Sequence, residues 1–156
     1  MKNFMQKTIE DKGNQKAFNP APVTDYMTPA DKLITFKPEM EVMDVVESLL
    51  SNKITGAPVL DSRNKLVGLI DDKDCLKVLF DVAYHNQPVH NSSVQYYMSN
   101  VMKTIRDNAN IMEVADTFLT TKYKRLLVVD GDGQLVGQIS RRDILHAIKD
   151  FNDSLE

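Results

Sequence analysis

Val42, Val45, Val46, Leu49 and Leu50 fall at i, i+3, i+4, i+7 and i+8, the spacing that gathers side chains on one face of an α-helix. Sixty-nine residues later Ile111, Val114, Ala115, Phe118 and Leu119 repeat the stripe. Both stripes predict a helix with a core face. After each come two short Val/Leu/Ile runs separated by turn residues: GAPVL, DSRN and KLVGLI, then RLLVV, DGDG and QLVGQI. Breaks rich in Asp, Gly, Ser and Asn between such runs predict β-hairpins. A further helix is expected from about Asp71 and again from about Ser140, and a short strand before each first helix, over 33–36 and 103–105.

The order β-α-β-β-α therefore occurs twice, and the residues repeat with it. At a shift of 69, residues 35–76 lie on 104–145 without a gap, and 13 of the 42 positions are identical, among them Val59, Asp61, Gly68, Ile70, Asp74 and Leu76. Average composition would give about 2–3 matches, so this is an internal repeat. Upstream the shift becomes 71: Asp25-Tyr26-Met27-Thr28 matches Tyr96-Tyr97-Met98-Ser99. We call this short segment ahead of each copy its arm. Each copy alone is small for a stable core, which predicts an α/β (α+β) fold of tandem repeats sharing one core about a pseudo-two-fold axis. The boundaries expected are a polar N-terminal extension over 1–22, repeat 1 over 23–84, an inter-repeat loop over 85–93, repeat 2 over 94–150 and a C-terminal tail over 151–156.

Composition narrows the function classes. The chain has 156 residues, 42% of them hydrophobic, enough for a globular core. A net charge of −3, with no basic run, argues against nucleic acid and against an anionic membrane surface. The opening MKNFMQKTIEDKGNQKAFNPAP has no long apolar run, so neither a signal peptide nor a membrane anchor is expected there, and no later segment reads as a membrane span. Cys75 is the single cysteine, which excludes an internal disulfide and a Cys-rich zinc site and suits a reducing cytoplasm. It lies in an apolar helical stretch, where a buried, inert thiol is expected.

The arms YMT and YMS, the central strands NKITGAPVLD and YKRLLVVD, and the segments LVGLIDDKD and LVGQISRRD together resemble the CBS domain. Two in tandem resemble a Bateman module, here a stand-alone CBS pair covering about residues 23–150. The resemblance implies a regulatory module and not an enzyme. Such a module binds adenosine-containing molecules (AMP, ADP, ATP, NAD or S-adenosylmethionine) in clefts between the repeats. It forms a homodimer and acts on a regulated protein that the sequence does not identify. No cofactor is required; the nucleotide is the regulatory ligand.

Ser140-x-x-Asp143 is by spacing a capping box: the serine side chain accepts an N–H of the first turn, and the carboxylate reaches back to the N-cap N–H. Other features add a ligand site. A helix N-terminus favours anions, yet Arg141 and Arg142 place two cations in that turn, against the local rule. Arg125 opens a neighbouring strand. One carboxylate can accept from both hydroxyls of a ribose. The resemblance assigns Asp143 that role, Ser140 a contact to ribose or phosphate, and Arg125 a contact to phosphate, with Met27, Thr28, Ile34 and Ile139 among the lining around adenine. For each apolar residue in that lining, plain core packing is the competing reading. Capping and binding are compatible, since a capping carboxylate keeps lone pairs free.

The first copy departs from this pattern. Asp71 replaces Ser140, Gly56 replaces Arg125, and the motif holds Asp71, Asp72 and Asp74 beside Lys73. Three carboxylates repel phosphate. The resemblance still allows a second site, with Asp74 in the ribose role and Lys103 as the cation that would offset the acids. Other motifs fail on mechanism. GDGQLVG is followed by a strand, not by the helix a dinucleotide loop needs. Asp130 and Asp132 lack the later ligands of a calcium loop. His85, His90 and His146 lack metal-ligand spacing, so no metal site is expected. No nucleophile with a base is visible, which leaves catalysis on a nucleotide unsupported. A structural dimerisation module with vestigial clefts is the alternative to a sensor.

Overall fold

The structure is a computed structural model that describes residues 18–85, 92–100 and 102–155. In chain order the elements are β1 (Thr28–Pro29), α1 (Val42–Asn52), β2 (Gly56–Leu60), β3 (Leu66–Asp71), α2 (Asp72–Cys75), α3 (Lys77–His85), β4 (Thr104–Arg106), α4 (Ile111–Thr120), β5 (Arg125–Val129), β6 (Leu135–Ser140) and α5 (Arg141–Ser154). Both hairpins form as expected, each with one register irregularity, at Val59/Leu60 and at Val128/Val129. Their turns are built alike. Asp61 Oδ1 accepts from the N–H groups of Arg63 and Lys65 at 2.8 and 2.9 Å, and Asp130 Oδ1 from those of Asp132 and Gln134 at 2.9 and 3.0 Å. Asn64 and Gly133 take the positive φ that closes each turn. The Asp130 carboxylate is thus committed to its own backbone.

The copies exchange their arms. Thr28 and Pro29 of the first arm pair antiparallel with Gln138 and Gly137 of β6, giving a four-stranded sheet in the order β1-β6-β5-β4. Ser99 of the second arm bridges Leu69 of β3 through two hydrogen bonds of 2.8 Å. Short 3-10 turns anchor each arm further. Val23 N–H donates to Ala109 O at 2.9 Å, and Val94 N–H to Met40 O at 2.8 Å, which are matched positions of the repeat. Tyr26 donates to Asp150 at 2.8 Å, and Tyr97 hydrogen-bonds Asp81 in the corresponding place.

This exchange divides the interior. Phe36, Val42, Val45, Leu49, Val59, Ile70 and Val78 of the first copy bury Val94 and Tyr97 of the second arm. Ile105, Val114, Leu126, Val128, Ile139 and Ile144 of the second copy bury Val23 of the first arm. One shared core was expected; there are two clusters, each completed by the other copy's arm. Leu50 and Leu119, both placed in core stripes, are 74% and 85% exposed, so each helix buries a narrower face than the pattern predicts.

Three other expectations change. The strand over 33–36 is reduced to a single parallel bridge between Phe36 and Val59. Pro58 is the cause, because it has no N–H, whereas its counterpart Leu127 donates to Lys103 O and β4 forms. The first copy's last helix breaks at Leu76 into α2 and α3. The last helix of the chain runs to Ser154, so residues 151–154 are its end and not a tail, and Phe151 meets Phe18 edge-on at 4.7 Å. His90 and most of the inter-repeat loop lie outside the described residues.

The exchange requires a close approach. A Cβ on Gly137 would stand 2.5 Å from Met27 Sδ and 2.7 Å from Thr28 O; one on Gly68 would meet Met98 Sδ at 2.6 Å and Ser99 O at 3.0 Å. Methionine sulfur can move, but the backbone oxygen of a paired strand cannot. Gly137→Ala is therefore expected to lower stability by about 1–3 kcal/mol through overpacking. Urea unfolding measures this, and adding Met27→Ala should recover only part of the loss, because Thr28 O remains.

Candidate functional site

Both capping boxes are present. At the second, Ser140 N–H donates to Asp143 Oδ2 at 2.8 Å, the Ser140 hydroxyl lies 3.1 Å from the same oxygen, and Asp143 N–H reaches Ser140 Oγ at 3.3 Å. Oδ2 thus takes the local bonds, and Oδ1 has no partner among the described residues. At the first, Asp74 N–H donates to Asp71 Oδ1 at 2.8 Å and Asp71 N–H to Asp74 Oδ2 at 3.1 Å. Serine can both accept and donate; a carboxylate at the same place only accepts. Asp74 therefore faces a like charge, where Asp143 faces a donor.

Arg125 stands directly opposite Ser140 in the β5–β6 ladder, so their side chains share a face of the sheet. Its guanidinium does not stay within its own copy. One terminal nitrogen donates to Gly56 O at 2.9 Å, and the other hydrogen-bonds Thr55 Oγ1. Sequence reasoning missed Thr55 as a partner. The available signal was the repeat itself: Gly56 and Arg125 are 69 apart, the same position in the two copies.

The first arm arrives as expected. Thr28 is opposite Gln138 and Pro29 opposite Gly137, and the turn Ala30–Lys32 continues along β6 in the antiparallel sense, away from Ser140. The apolar lining residues resolve differently. Ile139 is completely buried in the second cluster, so its side chain is core and not cleft wall. Met27 packs against that cluster beside Gly137, and Ile34 packs against the first cluster. Inward positions of a strand alternate with outward ones, which puts Gln138 and Ser140 on the side opposite Ile139. Arg141 and Arg142 are exposed; Arg141 reaches Tyr123 O at 3.4 Å. Lys103 is exposed at the head of β4, with its carbonyl accepting from Leu127 N–H.

A groove of about 550 Å³ lies elsewhere, between α3 and the second arm, walled by Lys77, Phe80, Asp81, Ser92, Tyr96 and Tyr97. It contains neither motif aspartate, although Lys77 Nζ comes within 4.0 Å of Asp74 Oδ1. The chemistry argued from the motifs stays with the two helix ends. No group of His, Cys, Asp and Glu among the described residues has metal-binding geometry. No helix among them is long and apolar enough to cross a membrane.

Burial, then the neighbouring Asp71 charge, raises the Asp74 carboxyl above its ordinary value, against the N–H bond it receives. Cys75 follows: burial first, then Asp74, Asp71 and Asp72, pushes its thiol up to about 11, so the thiolate is scarce at neutral pH. The thiol is half-buried, where a buried one was expected. An acid whose folded-state value is raised binds more protons folded than unfolded, so stability falls as pH rises through that window. Asp74 thus contributes stability that is full below the ordinary carboxylate value and is lost as pH climbs past the raised one. Asp74→Asn should abolish that contribution. Urea midpoints measured across mildly acidic to neutral pH should favour wild type at the acid end and the variant at the neutral end.

The sequence profile of the CBS domain matches residues 23–81 and 93–150. Among characterised sequences the chain is similar to the chloroplastic proteins CBSX1 and CBSX2 of Arabidopsis thaliana, at 32% and 30% identity over 80% of this chain. It spans about three fifths of the length of these relatives, 63% and 62%. The crystal structure of CBSX2 from Arabidopsis thaliana superposes with a TM-score of 0.75 at 32% identity, over 86% of this chain and 99% of that one. A structure of CBSX2 in complex with AMP gives 0.74 at 34%, over 85% and 98%. With two matched repeats, exchanged arms and this likeness in fold and sequence, the chain belongs to the CBS domain family as a tandem pair.

Proposed function

We propose that this pair is a regulatory module that senses an adenosine nucleotide in the cleft at Ser140 and Asp143. The observation that carries the reading is the Asp143 carboxylate. One oxygen is fixed by the cap and the other has no partner among the described residues, while Arg125 stands opposite Ser140 in the next strand and Thr28 opposite Gln138. A fixed carboxylate suits vicinal hydroxyls, and a guanidinium suits phosphate. CBSX2, which crystallises with AMP, supports the ligand class. Met27 and Ile139 pack in the second cluster behind β6, and Ile34 packs against the first. Arg141 and Arg142 add positive field at its mouth. The first cleft, at Asp74 with Lys103 nearby in sequence to its arm, is the poorer one for phosphate. The role is regulation of a separate protein and not catalysis, and the single cysteine fits a reducing compartment such as the cytoplasm.

AMP, ADP or ATP should raise the melting temperature, because a ligand that binds only the folded state adds about 2.7 kcal/mol at a hundredfold excess over Kd. A thermal-shift series without response at millimolar nucleotide would end the reading. Asp143→Asn should weaken AMP binding by about 1.5–3 kcal/mol if hydrogen bonds to a charged acceptor are lost. If Asp143 only caps α5, the variant should instead lose about 1 kcal/mol of stability at unchanged affinity. Calorimetry distinguishes the two.

The pair also carries a surface that fits a second copy. Met43, Leu50, Leu76 and Leu79 are 37–74% exposed, and their matched residues Met112, Leu119, Leu145 and Ile148 are 45–85% exposed. Exposed apolar positions that recur at the same places in both copies mark a face with a shared purpose. We infer a two-fold homodimer through these helices. Light scattering should give twice the chain mass of 17.7 kDa; the monomer mass across micromolar concentrations would contradict it.

A further inference from the structure

Two contacts in the structure join a residue to its own repeat counterpart. Lys65 bridges Gln134, and Arg125 hydrogen-bonds Gly56 O; both pairs are 69 apart. Equivalent positions can touch only where the two copies meet, so both contacts lie on the pseudo-two-fold axis. Arg125 is therefore not a side chain of one cleft alone. It starts opposite Ser140 in the second copy and ends on Thr55 and Gly56 of the first.

Thr55 is in turn tied to the first motif, because its carbonyl accepts from Asp72 N–H at 2.8 Å. The guanidinium thus ends beside the backbone that leads into Asp71, Asp72 and Asp74. The first copy offers no matching cation. Its counterpart residue is Gly56, where a Cβ would stand 2.9 Å from both Asp71 Cβ and Ile70 O, so no side chain fits there without a shift of the strand. One guanidinium serves the boundary between two clefts.

Of the five N–H donors of arginine, two are directed at Gly56 O and Thr55 Oγ1, and three remain. A side chain already held at two points loses less freedom on meeting a third partner. We propose that Thr55 and Gly56 position Arg125 as the one phosphate anchor of the module, shared by both clefts, so that the pair holds a single phosphate-bearing nucleotide at a time. The inference rests on the reading of the module as an adenosine-nucleotide sensor. It adds that the phosphate site is built from both copies, that Thr55 is a positioning residue, and that the first cleft can accept only a ligand without competing phosphate.

Calorimetry of the full chain with AMP and with adenosine tests it, in wild type, Thr55→Val and Arg125→Lys. Thr55 is exposed, and valine keeps its shape, so folding should survive; the melting temperature checks this. Wild type should bind one AMP per chain. Thr55→Val should weaken AMP several-fold, and Arg125→Lys about tenfold because an ammonium cannot hold two anchors and a bidentate phosphate together, with adenosine unchanged in both. Two AMP per chain of equal affinity, or a Thr55→Val variant with wild-type AMP affinity, would overturn the shared anchor while leaving the sensor reading intact. A loss of adenosine and AMP affinity in parallel would make Thr55 merely structural and overturn it equally. Absence of binding by both ligands to wild type would remove the sensor reading itself, and this inference with it.

Discussion

The exchanged arms hold the molecule together. Each copy provides a hairpin and the inner faces of the helices before and after it, and the remaining wall of its cluster comes from the other copy's arm. Val23 and Val94, each completely buried, sit in the interior of the repeat to which they do not belong by sequence. Neither half can close without the other, so the pair folds as one unit although its interior is in two parts. The glycines at 68 and 137 set the distance. Their missing side chains let an arm lie against the last strand of the hairpin, which brings that arm to the helix end where the motif aspartate stands. The packing constraint and the location of the clefts are one feature.

Most of this architecture was legible in the sequence because it rests on periodicity. The helix stripes, the hairpin turns and the repeat each leave a local pattern, and the hairpins and the helices starting at Val42 and Ile111 formed where that pattern put them. What periodicity does not encode is which copy an element packs against. The arms match at a shift of 71, and the local pattern alone assigns each to its own repeat; only the family resemblance, which placed Met27 and Thr28 at the Asp143 cleft of the other copy, signalled the exchange. Leu50 and Leu119 misled for a related reason. They continue a helical stripe, but a stripe records which residues avoid water, not whether the same protein or another copy covers them. Pro58 was readable and was overlooked: a residue without an N–H in the middle of a strand limits pairing on that side.

The candidate site was legible in type and less so in placement. Ser140 and Asp143 form the predicted cap, and Arg125 lies opposite Ser140 as a neighbouring strand should place it. The lining was the weak part. Ile139 is apolar and next to the motif, yet strand alternation alone turns it to the core and leaves Gln138 and Ser140 on the other face. The destination of Arg125 could not be read from local pattern at all, because a long side chain crosses between copies only when the pseudo-symmetry axis is known.

The two motifs show how one residue type divides the roles of otherwise matched sites. Asp71 caps its helix with geometry as good as that of Ser140, so helix formation does not discriminate between them. The difference is in what remains afterwards. A serine hydroxyl gives a donor to its aspartate and adds no charge, and the carboxylate keeps one oxygen outside the cap. An aspartate in the same place adds a second carboxylate, and burial together with that charge lifts the proton affinity of Asp74. The extra charge opposes phosphate. The acidic copy is nevertheless tied to the other, since it supplies the threonine and the carbonyl that hold Arg125. Divergence of the two repeats is then a division of labour across the axis: one copy presents the carboxylate and the arginine, and the other fixes where the arginine ends.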